Sequence, residues 1–198
     1  IERFQIAMTH TSYLERDLKN DRLVKLVKEK DLIPIPKSEI NNAMKLKNVS
    51  YERLEFLGDS VIHLALADYL HDRYPDEQEG FMTRLRTKIE SGPTLAHLSK
   101  VLGLHEYVII ARNIEQIGGR EKNTHILEDA FEAFIGSLYL ESSFEICKKL
   151  LINLIEDQVD MSTLIHVETN HKDTLLQWYH KWKWADPEYG SKGFIERD

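Results

Sequence analysis

The run Tyr51-Glu52-Arg53-Leu54-Glu55-Phe56-Leu57-Gly58-Asp59-Ser60 sets three carboxylates along one side of a helix, and that crowding constrains this chain more than any other feature. At about 100° per residue, Glu55 and Asp59 (i, i+4) lie one turn apart on one face, and Glu52 (i, i+3 to Glu55) lies on the same side. Like charges so placed repel. A hard divalent cation liganded by oxygen is the most economical reason to keep them together.

A second acidic helix is expected near Ile126 to Leu140, where Asp129 and Glu132 are again neighbours at i, i+3 among mostly apolar positions. A carboxylate pair on an otherwise buried helix needs a basic partner or a metal. Packed face to face, the two helices would bring Glu55, Asp59, Asp129 and Glu132 together as four oxygen ligands, with Glu52 beside them. That donor set suits Mg²⁺ and leaves room for waters and a substrate phosphate.

On these two motifs the sequence resembles the ribonuclease III family, whose first motif reads E-R-L-E-F-L-G-D-S and whose second reads D-A-F-E-A-x-I-G. The likeness extends to Thr9-His10-Thr11-Ser12-Tyr13, to Thr83-Arg84-Leu85-Arg86 and to Gly118-Gly119-Arg120. It covers about residues 1 to 160, apart from an insertion at about 14–50. The resemblance implies an all-α fold, with a helical endonuclease domain over residues 1–167 that acts as a homodimer on double-stranded RNA. It also implies hydrolysis by a metal-activated water, giving 5′-phosphate and 3′-hydroxyl ends with short 3′ overhangs. Glu55, Asp59, Asp129 and Glu132 would be the catalytic residues and hold Mg²⁺, for which Mn²⁺ would substitute. Glu52 would act from the flank, on a second metal or at the dimer interface.

Phe56 and Gly58 fall where the family has a two-fold interface, with the aromatic packing into the partner subunit; a purely intramolecular core role for Phe56 is the alternative. Gly58 inside a helix costs about 1 kcal/mol relative to Ala, so something requires the missing side chain, such as the close approach of another helix.

From Lys172 onward, Lys172-Asp173-Thr174-Leu175-Leu176-Gln177-Trp178-Tyr179 resembles the first helix of a double-stranded RNA-binding domain, and Asp186-Pro187-Glu188-Tyr189 its entry into a strand. Residues 168–198 are accordingly expected to hold a linker and the start of a truncated α+β module. Gln177 matches the position that reaches a minor-groove 2′-hydroxyl, whereas the Glu that often follows is Trp178 here. Trp178, Tyr179, Trp182 and Trp184 read as hydrophobic packing, since duplex RNA keeps its bases stacked inside.

The net charge of −7 is awkward for an RNA-binding chain, although the acidic cluster accounts for part of it. Basic residues gather at Arg84, Arg86 and Lys88, the expected RNA contacts, and at Arg120 and Lys122; each group is otherwise an ordinary solvated face. Arg84 and Lys88, at i, i+4, could touch one phosphate backbone. The insertion carries nine Lys/Arg against six acids. It is either a surface elaboration or an accessory RNA contact.

Helices are expected from an N-cap at Ser50 to near Pro75, over Gly80 to Glu90, over Pro93 to Leu102 with Gly103 as the stop, and over Ile126 to Leu140 and Ser143 to Val159. Leu14 to Leu32 reads as an amphipathic helix ended by Pro34-Ile35-Pro36. Tyr107 to Ile110 could pass for a strand but shows no partner. His10 and His63 are expected to be structural, Glu128 to face solvent, and Glu90 receives no role. The single cysteine, Cys147, excludes an internal disulfide and suits a reducing, intracellular setting, with cytoplasm and nucleus equally open. No signal-peptide pattern or membrane-length apolar run is present. Two rival readings remain at this point: a non-catalytic duplex-RNA-binding or ribonucleoprotein subunit, and a helical phosphohydrolase acting on nucleotides.

Overall fold

The computed structural model describes residues 1–14, 48–166, 171–185 and 187. The insertion, with its expected helix over Leu14 to Leu32, lies almost wholly outside the described residues, as does the expected boundary at 167/168. By compactness the chain divides into Ile1–Asp160 and Met161–Asp198.

The first unit is helical: α1 (Glu2–Ala7), α2 (Thr11–Leu14), α3 (Glu52–Arg73), α4 (Glu79–Ile89), α5 (Gly92–Val101), α6 (Arg112–Gln116), α7 (Gly119–Lys122), α8 (Thr124–Glu141) and α9 (Phe144–Gln158), with a 3₁₀ turn at Leu104–Glu106. α3 and α8 form the centre. Along α3 the buried positions are Leu54, Gly58, Val61, Ile62, Ala65, Leu66 and Leu70, the three- and four-residue spacing of one helical face. α8 is buried on more sides, through Ile126, Leu127, Ala130, Phe131, Ala133, Ile135, Gly136 and Ser137. α1, α5 and α9 pack around this pair. Each fully buried aliphatic or aromatic side chain contributes about 1.5–3 kcal/mol, so the central crossing holds much of the stability.

Local chemistry sets the helix ends. Asn123 caps α8, its side-chain oxygen accepting from the amides of His125 (3.1 Å) and Ile126 (3.5 Å), which starts the helix slightly earlier than periodicity alone suggests. Ser143 caps α9 through the Ile146 amide. Gly103, at φ 70°, supplies the left-handed residue after α5. Ser50 does not cap α3. Tyr51 occupies that position with helical backbone angles, while the Ser50 hydroxyl donates to Glu52 instead (3.1 Å).

The strand-like run at Tyr107 to Ile110 does have a partner: Thr9 and Ile109 form a parallel bridge, with the Ile109 amide donating to Met8 (2.6 Å) and the His10 amide to Ile109 (3.0 Å). That partner is the Thr-His-x-Ser-Tyr segment. Its Ser12 hydroxyl accepts from the Ala111 amide (3.1 Å), and its His10 Nδ1 accepts from the Ser12 amide (2.9 Å), giving His10 the expected structural place. Arg120 fastens the same loop region. Its guanidinium donates to the carbonyls of His105 and Val108 (2.7 Å each) and pairs with Glu115, so it is a bracket and not a free basic face.

In the second unit the described residues form α10 (Met161–His166) and α11 (His171–Lys181). Trp178, Trp182 and Trp184 are in mutual ring contact, and Tyr179 meets Trp184 edge to face. Among the described residues the expected hydrophobic packing is met only between the rings themselves, since each of the three tryptophans stays more than half exposed. The strand expected to begin at Asp186 lies outside the described residues, apart from Pro187.

Candidate metal centre

The two glycines at the crossing decide how near the acidic motifs come. A Cβ on Gly58 would lie 1.8 Å from the carbonyl oxygen of Glu132, and one on Gly136 would lie 2.1 Å from that of Leu54. Neither could be accommodated without separating the backbones. Gly58, which the resemblance put at a subunit interface, is therefore spent on an intrachain contact. The close helix approach expected from its presence in mid-helix is what the structure shows.

Because α3 and α8 touch backbone to backbone, their carboxylates converge. One oxygen from each of Glu55, Asp129 and Glu132 lies within 4.8 Å of the others, and all three residues are half-buried. Glu55 is pushed up to about 7, first by burial and then by the charges of Asp129, Glu52, Asp59 and Glu128. Glu132 is pushed up to about 8 by burial, then by Asp59, Glu128, Glu55 and Asp129. Among the described residues, the leading contributions to both shifts are burial and neighbouring carboxylates. Three convergent hard oxygens on a partly desolvated floor, two of them on carboxyls raised by their acidic neighbours, fit a divalent cation that keeps some of its waters.

The expected four-ligand set is thus three-quarters assembled. Asp59 is exposed and stands outside the group of three, where water solvates its charge; it acts on Glu55, Glu132 and Glu90 through space. Glu52 is exposed on the flank and accepts the Ser50 hydrogen bond.

Three residues near the centre went unassigned or misplaced in the sequence. Glu128 does not face solvent. Its carboxylate occupies the space beside Gly92, where a Cβ would come within 2.6 Å of Oε2, and its charge raises both Glu55 and Glu132. Glu90 at the end of α4 faces His63 Nδ1 (3.1 Å) and Arg86 Nε (3.8 Å); burial holds its carboxyl above the usual range, and His63 and Arg86 oppose the shift. Tyr51, the residue before the first motif, donates its hydroxyl to Asp129 Oδ2 at 2.6 Å. Nothing in helical periodicity could have paired residues so far apart.

Of the expected RNA contacts, Arg84 is exposed on α4. Arg86 and Lys88 are half-buried, and the Arg86 Nε lies 3.8 Å from Glu90 Oε2. Gln177 lies within α11, and its side chain is outside the described residues. Phe56 is 77% exposed, which removes the intramolecular-core alternative for it.

The Ribonuclease III domain family matches residues 52–143, which span both acidic motifs. A probable ribonuclease 3 of Acanthamoeba polyphaga mimivirus is 39% identical over 189 residues, covering 96% of this chain and 32% of its own length. A ribonuclease 3 of Francisella philomiragia is 40% identical over 128 residues, covering 65% of this chain and 54% of its own. The chain therefore spans between a third and somewhat over half the length of these curated relatives. Among solved structures, the nuclease domain of ribonuclease III from Campylobacter jejuni is 30% identical with a TM-score of 0.59, covering 80% of this chain and 88% of that one. Acidic motifs, glycine-mediated crossing and overall likeness agree: the chain belongs to the ribonuclease III family.

Proposed function

We propose that this chain is the catalytic part of an endoribonuclease that hydrolyses double-stranded RNA. The observation that carries the reading is the convergence of Glu55, Asp129 and Glu132 within 4.8 Å, with Glu55 and Glu132 raised by burial and by the charges of neighbouring carboxylates. These three would hold Mg²⁺, with Mn²⁺ substituting, and Asp59 and Glu52 would join from the exposed side of α3. A cation held by these residues would supply a water of lowered pKa as nucleophile and would neutralise charge developing on the scissile phosphate.

The chain's own part is positional. Burial and repulsion from neighbouring carboxylates disfavour the bare carboxylates of Glu55 and Glu132, so a cation would take the place of their protons, which pass to solvent water. The backbone contact at Gly58 and Gly136 fixes the spacing of the two acidic helices. Attack in line on phosphorus then gives 5′-phosphate and 3′-hydroxyl products, with short 3′ overhangs where two centres act across a duplex.

That geometry calls for a homodimer, and Phe56, a large apolar side chain left 77% exposed on α3, is the residue a second copy would bury. One of the similar solved structures is described as showing flexibility in a region involved in dimer formation of the Campylobacter jejuni nuclease domain. Arg84 on α4 would meet phosphate, and the α11 helix with Gln177 would add duplex contacts made by shape rather than sequence. No helix among the described residues is long and apolar enough to cross a membrane. The setting proposed is intracellular.

The test is incubation with long duplex RNA and with single-stranded RNA, with and without Mg²⁺, followed by analysis of product ends. Mg²⁺-dependent cleavage of the duplex to 5′-phosphorylated fragments is expected. Duplex binding without cleavage at any Mg²⁺ or Mn²⁺ concentration would favour the non-catalytic subunit instead.

A further inference from the structure

Tyr51 is 2% exposed, and its hydroxyl donates to a carboxylate of the acidic centre, Asp129 Oδ2, at 2.6 Å. A short O–H···O⁻ bond of this kind is charge-assisted and directional. It leaves Asp129 one oxygen tied to protein, which restricts rotation of the carboxylate relative to Glu55 and Glu132. Tyr51 is itself held from behind. Its backbone amide donates to the Thr9 carbonyl (2.9 Å), and the His10 ring meets the tyrosine ring edge to face, with centroids 5.5 Å apart.

Thr9 and His10 are in turn anchored to the loop before α6. The His10 amide donates to Ile109 (3.0 Å), and the Ser12 hydroxyl accepts from Ala111 (3.1 Å). A connection from this segment to the centre runs through Tyr51.

We infer that Tyr51 is a positioning residue for the metal centre, orienting Asp129 through its hydroxyl, and that the Thr9–Ser12 segment serves the centre by seating Tyr51. The inference rests on the proposal that Asp129, Glu55 and Glu132 hold a divalent cation. Hydrogen-bonding partners of metal-ligating carboxylates set ligand orientation, and their removal typically weakens metal binding by about 10- to 100-fold.

The experiment measures Mn²⁺ binding to the whole chain by electron paramagnetic resonance, in the absence of RNA, for wild type, Tyr51→Phe, Asp129→Asn and Glu132→Gln. Tyr51→Phe removes one oxygen and keeps the ring that packs against His10. Its Mn²⁺ dissociation constant is expected to rise about tenfold or more. In cleavage assays its deficit should be recovered at raised Mn²⁺, with the KM for duplex RNA unchanged. Wild-type Mn²⁺ affinity in a folded Tyr51→Phe chain would overturn the inference, provided that Asp129→Asn and Glu132→Gln have lost binding. If those two variants also bind Mn²⁺ normally, the metal centre itself is wrongly assigned, a separate failure. Should Tyr51→Phe not fold, ultraviolet difference absorption of the wild type on Mg²⁺ addition serves in its place. Perturbation of a tyrosine band is expected, and a flat difference spectrum at saturating Mg²⁺ would count against the coupling.

Discussion

Gly58 and Glu132 meet backbone to backbone: a Cβ on Gly58 would sit 1.8 Å from the Glu132 carbonyl oxygen. The same residue that contributes a carboxylate to the acidic centre thus contributes the carbonyl that forbids a side chain on the opposing helix. Stability and site geometry are coupled at this point. Gly58→Ala is expected to lower the melting temperature, at a cost of about 1–3 kcal/mol or more for overpacking, and to weaken the stabilisation that Mg²⁺ confers. Gly80→Ala is the contrast, since its Cβ would meet nothing nearer than the flexible end of Arg84 at 3.4 Å. That change should be neutral or stabilising by up to about 1 kcal/mol. Equal effects of the two substitutions in a thermal melt would mean that the crossing is not close-packed in solution.

Glu132→Gln should abolish cleavage while leaving duplex binding intact. The amide preserves volume in a half-buried position and removes a charge that the cation requires, so kcat should fall by about 10²–10³ or more, the scale seen when one group is removed from a preorganised electrostatic site. Gel-shift and cleavage assays on one duplex separate the two properties. Cleavage near the wild-type rate at ordinary Mg²⁺ would remove Glu132 from the centre.

How much of this was legible in the sequence depends on the range of the interaction. The carboxylates at i, i+3 and i, i+4 announced themselves because helical periodicity places them on one face, and Gly58 announced a close contact because glycine is costly in mid-helix. The ends of α5 and α9 followed from Gly103 and Ser143. Long-range partners were not legible. The Tyr51 hydroxyl bond to Asp129, the Glu128 carboxylate lodged against Gly92, and the pairing of Ile109 with Thr9 all join residues whose spacing in the chain carries no periodic signal. Arg86 has a partner that its place in the run did not indicate. Its place in a basic run suggested an outward contact, and its Nε also lies 3.8 Å from Glu90 one turn on. Asp59 was grouped with the centre because spacing describes where a Cβ points, and it does not describe how an exposed carboxylate distributes itself between neighbours and water.

The raised values at Glu55 and Glu132 give the metal-free protein a defined pH dependence. Both groups titrate higher in the folded chain, at about 7 and about 8, than the ordinary 4.5 expected of an unfolded one. Between about pH 4.5 and 8 the folded state therefore binds more protons than the unfolded state, and stability falls as pH rises through that window. Below it the contribution of both groups is fully present. Melting temperatures measured in chelator across this range should decline, the decline should be shallower in Glu132→Gln, and added Mg²⁺ should offset it at the alkaline end. Apparent Mg²⁺ affinity should rise over the same interval, because metal competes with the departing protons. A metal-free melting temperature that rises toward pH 8 would contradict the assigned direction.

Phe56→Ala should act on assembly and leave the fold of the single chain alone. The side chain is 77% exposed within the chain, so truncation opens no cavity there. At a self-complementary interface the same substitution counts twice, once per subunit, and buried aromatic anchors typically cost about 2–4 kcal/mol each when truncated. Analytical ultracentrifugation over a dilution series should show more monomer for the variant, with an unchanged melting temperature at concentrations where both proteins are monomeric. An identical dissociation profile would place the interface elsewhere.

Arg84 and Arg86, two residues apart on α4, should fail in different ways when replaced by alanine. Arg84 is exposed, and a phosphate contact from it would release counterions on binding; its loss should weaken duplex affinity and reduce the slope of log affinity against log salt by about one. Arg86 is half-buried with its guanidinium facing Glu90, whose other carboxylate oxygen faces His63 on α3. Removing it leaves a partly buried carboxylate with one fewer positive neighbour, which should lower stability and raise the Glu90 pKa further, while the salt slope stays at its wild-type value. Salt titrations of duplex binding, run beside thermal melts on the same two variants, discriminate the roles. If Arg86→Ala reduces the salt slope as much as Arg84→Ala does, then Arg86 leaves Glu90 to meet the duplex, and the whole basic face of α4 belongs to the RNA-binding surface.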